Sequence, residues 1–172
     1  MILLFPLLSG CYVDDWNGEP YTGYEGATSS VSDTGAVPET GGLLGQWVSE
    51  GADLSVLLGG EPFLYVRVDA TFDAAGSYEV VGEDADGTLW PLIGTWSATE
   101  GTPGTITLEQ TEPYVATATG IWQVDGGALS YEVVQISPDY GFQPPTPGSG
   151  FGSSTGPGLT PGMNVQTYRW VP

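Results

Sequence analysis

The chain holds one cysteine, Cys11, no histidine and no lysine, against 21 acidic residues and two basic ones, Arg67 and Arg169. That inventory limits the available chemistry. A lone thiol cannot close an intramolecular disulfide. Without histidine or lysine, the nucleophile–base pairs of hydrolases and the His/Cys metal sites cannot be assembled. Carboxylates remain, and two of them about 5–9 Å apart could cleave a glycosidic bond. No spacing singles out such a pair, so the chain reads as non-enzymatic and free of cofactors.

The densest acidic cluster is Glu83-Asp84-Ala85-Asp86-Gly87. Asp84 and Asp86 alternate as the oxygen ligands of a hard cation such as Ca²⁺ do, but position 95, where an EF-hand spacing would need a bidentate glutamate, is threonine. The other reading is an acidic turn between two strands. The formal net charge of −19 repels phosphate, which excludes nucleic acid as a partner and disfavours anionic headgroups.

Cys11 ends a short apolar stretch, Ile2 to Leu8, through Leu8-Ser9-Gly10-Cys11. About 20 apolar residues are needed to cross a bilayer, so this stretch fits the apolar region of a signal peptide instead. Leu8-Ser9-Gly10-Cys11 resembles the lipobox of bacterial lipoproteins. The resemblance implies a signal peptide over 1–10, cleavage before Cys11 and acylation of its thiol. Two or more acyl chains anchor stably where one is marginal. Tyr12 follows the cysteine in place of the aspartate that tends to retain such proteins at the inner membrane, so an outer-membrane anchor is implied. The stretch departs from the pattern in having no Lys or Arg before Cys11.

These residues must be positioned by β structure. The chain has 27 glycines and 14 prolines, with Val, Thr, Tyr and Trp between them and no sustained helical period. An all-β fold follows. Residues 11–42 read as an acidic flexible linker and 43–172 as one monomeric β domain. The clearest strand runs from Phe63 to Phe72, with Leu64, Val66, Val68, Ala70 and Phe72 on one face. Asp73-Ala74-Ala75-Gly76 turns it back toward Tyr78 and Val80.

Two further hairpins share a glycine, any residue, tryptophan start: Gly94-Thr95-Trp96 leading to Thr105–Leu108, and Gly120-Ile121-Trp122 leading to Leu129–Tyr131. Short turns make all of these antiparallel neighbours in an up-and-down meander. The Pro/Gly/Ser-rich segment 137–164 reads as a disordered loop, and Val165–Val171 as the last strand.

Leu44-Gly45-Gln46-Trp47, the hairpin Phe72–Tyr78 and the Gly120–Leu129 unit, in that order, resemble the lipocalin-like domains of bacterial lipoproteins. The resemblance implies a small barrel in which Trp47 lies beneath Arg169 of the last strand, a cation–π pair that closes the barrel. An open β-sandwich is the alternative architecture. Two functions are consistent with this reading. In the first, inward residues such as Val66, Val68, Tyr78 and Trp96 line a cavity for a small apolar ligand. In the second there is no cavity, and the long loop, with Tyr140, Phe142 and Phe151, engages a protein or glycan. The aromatics Trp47, Trp90, Trp96, Trp122, Tyr78 and Tyr131 serve as core or as cavity lining accordingly.

Overall fold

The computed structural model describes residues 42–172. The expected signal segment, Cys11 and the linker up to residue 41 lie outside the described residues. Eight antiparallel strands, each hydrogen-bonded to the next, form a closed barrel. They are β1 (Gly45–Glu50), β2 (Tyr65–Phe72), β3 (Ser77–Asp84), β4 (Leu89–Thr99), β5 (Gly104–Glu112), β6 (Ala116–Asp125), β7 (Ala128–Ser137) and β8 (Gln166–Val171). Closure is made where β8 pairs with β1, Trp47 opposite Trp170 and Val48 opposite Arg169. The barrel is the expected architecture and the open sandwich is not formed.

The strands are strongly staggered. A row of paired residues that starts at Gly45 runs through Phe72, Tyr78, Gly94 and Gln110 and ends at Ala116, the first residue of β6. Such stagger goes with strand tilt, and eight tilted strands leave an interior that side chains fill or one small ligand occupies.

The barrel has two unlike ends. The near end carries the start of β1, the end of β8 and the turns at 73–76, 100–103 and 126–127. The far end carries the turns at 85–88 and 113–115 and two longer connections. The first connection, between β1 and β2, contains a 3-10 turn (Gly51–Asp53) and the single-turn helix α1 (Val56–Gly59). Ser55 caps α1, its hydroxyl accepting from the Leu58 N–H at 3.2 Å. The second connection is the Pro/Gly/Ser segment before β8.

Two hairpins are built on one sequence device. In Asp73-Ala74-Ala75-Gly76-Ser77 the carboxylate of Asp73 accepts from the Ala75 and Ser77 N–H groups at 2.9 and 2.8 Å. In Asp84-Ala85-Asp86-Gly87-Thr88 the Asp84 carboxylate accepts from Asp86 and Thr88, both at 3.0 Å. Gly76 and Gly87 take φ of +85° and +80°, the left-handed conformation that closes such a turn and that a side chain disfavours.

The core lies inside the barrel. Trp47, Val68, Phe72, Tyr78, Ile106, Leu108, Trp122, Leu129, Tyr131, Val133 and Tyr168 are all essentially removed from solvent. Leu43 enters the near end ahead of β1, its carbonyl accepting from the Trp47 indole N–H at 2.8 Å.

A second, smaller cluster sits outside the barrel wall. Leu57 of α1, Val134 of β7 and Phe142 are buried together, with Phe63, Leu159 and Met163 packed on them. The segment 137–164, expected to be disordered, is therefore a packed cover. Beneath it Glu132, fully buried, accepts from the N–H groups of Gly152 at 2.6 Å and Ser154 at 3.0 Å. Asn164 donates to the Val133 carbonyl at 2.7 Å, and Gln143 and Thr155 exchange backbone hydrogen bonds. A few apolar anchors and one buried carboxylate order a stretch that has no periodic pattern.

Candidate functional site

Inside the barrel, β3, β7 and β8 bring the side chains of Tyr78, Tyr131 and Tyr168 together. Tyr131 meets Tyr168 edge-on at 6.1 Å between ring centroids and Phe72 at 6.5 Å, and Phe72 meets Tyr78 at 6.4 Å. Burial drives all three phenols toward the neutral form, raising their pKa values above the ordinary 10; the Tyr131 shift also includes smaller contributions from Tyr168 and Tyr78. Tyr65 is pushed up to about 12, chiefly by burial and then by the nearby Asp84 charge. Among the described residues two buried polar side-chain groups have no hydrogen-bond partner, the hydroxyl of Tyr131 and the indole N–H of Trp170.

Below the far end the interior turns polar. Ser49, Gln110, Gln135 and Gln166 are buried, and each is held by the protein. Gln166 donates to the Ser49 hydroxyl and accepts from the Ser55 N–H at 2.7 Å. Gln110 and Gln135 donate to the carbonyls of Tyr114 and Pro138 at 2.9 and 3.2 Å. These amides tie the far-end connections to the barrel.

Of the four residues expected to line the interior, Val68 and Tyr78 do so. Trp96 is partly buried at the near end, edge-on to Phe72 at 5.6 Å, its indole donating to the Asp73 carbonyl at 3.2 Å. Val66 is exposed, which corrects its expected placement. The β2–β3 register shifts between Tyr65 and Arg67, and this bulge ends the alternation that would have turned Val66 inward. Tyr65 takes the inner position in its place, its ring lying where a side chain on Gly82 would be.

The expected closure pair is also corrected. Arg169 stands on the outer face, opposite Val48, and binds Asp53 through both carboxylate oxygens at 2.8 and 3.0 Å. Trp47 packs instead against Trp170, edge-on at 5.2 Å. First and last strands are joined as expected, but by two indoles inside, while the ion pair outside ties β8 to the 3-10 turn after β1. The alternation of β8 held the signal: Arg169 and Trp170 are neighbours and must face opposite sides.

The Asp84–Asp86 cluster serves its turn. Beyond its two backbone hydrogen bonds, Asp84 accepts from the Trp90 indole at 3.3 Å. Its carboxyl is held below the usual range, first by the Thr88 N–H. Among the described residues no three His, Cys, Asp or Glu side chains gather as a metal site. In the long segment Phe142 is buried in the outer cluster, Phe151 is half-buried and Tyr140 exposed. The remaining aromatics divide similarly: Trp47, Trp122, Tyr78 and Tyr131 are core, and Trp90 is exposed.

Fold and interior together define a closed antiparallel eight-stranded barrel with convergent tyrosines and no charged side chain among its buried lining. No protein-family model matches the chain, and none of the curated proteins and none of the solved structures matches it.

Proposed function

We propose that this chain is a non-enzymatic binding protein of the cell envelope, anchored at the outer membrane through acylated Cys11, whose barrel takes one small, largely apolar ligand. The observation that carries the ligand reading is the Tyr131 hydroxyl, buried among the interior aromatics and without a partner among the described residues. Leaving a buried hydroxyl unpaired costs about 1–3 kcal/mol, and a ligand oxygen or nitrogen accepting from it would recover that cost. The ligand would be uncharged or cationic, because the exterior repels anions and no cation faces the interior to hold one.

The test of the ligand reading is native mass spectrometry of the full chain purified from its own host, beside the Tyr131→Phe variant. A co-purifying small molecule that is lost or depleted in the variant supports it. Unliganded protein, together with a Tyr131→Phe variant that is more stable than wild type, sinks it. Anchoring is tested apart, by membrane fractionation and intact mass of Cys11→Ser. Wild type carrying acyl mass at the membrane and a soluble variant are expected, and unchanged membrane association removes the anchor.

A further inference from the structure

The far end of the barrel collects the exposed apolar side chains of the molecule. Val56 lies after β1, Leu64 before β2, Trp90 at the start of β4, Val115 in the β5–β6 turn, and Ile136 and Tyr140 at the exit of β7. Val66 and Leu89 stand beside them. Leu44 alone among the exposed large hydrophobics of the described residues lies at the near end. Single exposed apolar residues need no explanation, but their confinement to one end marks an interaction surface.

Charge is distributed with the same bias. Glu61, Glu83, Asp84, Asp86, Glu112 and Asp139 border this end, whereas the near-end turns carry Asp73, Glu100 and Asp125. The chain's two arginines do not offset the far-end acids, because both are engaged by carboxylates. Arg67 binds Asp69 at 2.7 Å and Glu50 at 3.1 Å, and Arg169 binds Asp53.

We infer that the far end is a docking surface for a protein segment that presents apolar and Lys/Arg side chains together, for example one face of a basic amphipathic helix. Apolar contact would supply the affinity and the surrounding carboxylates the selectivity and the on-rate. Charge argues against the other occupants. A second copy would bring an equally acidic rim with its arginines already used, and an anionic bilayer would be repelled. The inference is independent of the ligand reading, since it uses solvent-exposed residues only and none of the buried lining.

The test uses the full chain and three synthetic helical peptides of equal length, Leu/Lys, Leu/Glu and Ser/Lys, followed by calorimetry and by amide chemical shifts. The Leu/Lys peptide is expected to bind, with shifts confined to Val56, Leu64–Val66, Leu89–Trp90, Thr111–Val115 and Ile136–Tyr140. Affinity should fall about tenfold in Val115→Ser/Ile136→Ser and be unchanged in Leu44→Ser. The shift map on the wild-type protein keeps the test valid should the double variant fold poorly. Equal binding of the Ser/Lys or Leu/Glu peptide would overturn the inference, as would absence of Leu/Lys binding or shifts at the near-end turns. Rim-dependent self-association or vesicle binding would overturn it in favour of a second copy or a membrane.

Discussion

Glu132 shows how much one side chain can organise. It is fully buried and has no cation within reach, and backbone N–H groups from a segment about twenty residues away hold its two oxygens. Replacing it with alanine strands the Gly152 and Ser154 N–H groups against β7. The expected cost is about 2–3 kcal/mol by urea unfolding, with faster amide exchange at those two residues. Glutamine, which keeps one acceptor, should fall between alanine and wild type.

Trp47 and Arg169 make the opposite comparison. Trp47→Ala removes a buried indole from the closure and should cost about 3–5 kcal/mol. Arg169→Ala breaks only a solvated ion pair and should leave the unfolding midpoint near wild type. A large loss in the arginine variant would mean that the Arg169–Asp53 pair holds the closure together.

At the scale of elements, the Asp-x-x-Gly hairpins are the units that set register. Asp73→Ala removes the acceptor of two backbone donors and should cost about 1 kcal/mol. Asp73→Asn keeps the accepting oxygen and should be tolerated, as thermal melts of the two variants would show. These hairpins were legible in the sequence, as was the last strand, because each is fixed by residues adjacent in the chain.

The features that are not legible in the sequence depend on distant partners. The bulge beside Val66 belongs to a two-strand register, and it swaps Val66 for Tyr65 in the lining. The cover over β7 rests on Leu57, Val134, Phe142 and Met163, which are scattered along the chain and meet only in the fold. One local clue existed. Val133 and Val134 are adjacent and so face opposite sides, and the outer valine needed something to lie over it.

The molecule as a whole should respond unequally to acid and alkali. The half-buried phenol Tyr65 and the buried phenols Tyr78, Tyr131 and Tyr168 have folded pKa values above the value of about 10 that they take when unfolded. Below pH 10 both states keep these protons. As pH rises past 10, the unfolded chain releases protons that the barrel retains, so stability should fall by about 1.4 kcal/mol per pH unit for each such phenol. Chemical unfolding followed from pH 8 to 11.5 checks this, and an unchanged midpoint would mean that the phenols reach water in the folded state.

The seam between β1 and β8 has a consequence for biosynthesis. Strands that lie farthest apart in the chain must meet, and on the β1 side Gly45 leaves just enough room for the Trp170 ring. Until the last strand has emerged from the ribosome, the preceding seven can form only an open sheet with two unpaired borders. Such borders invite pairing with other chains. Shortening the chain by its final strand should therefore yield an aggregate and not a smaller barrel.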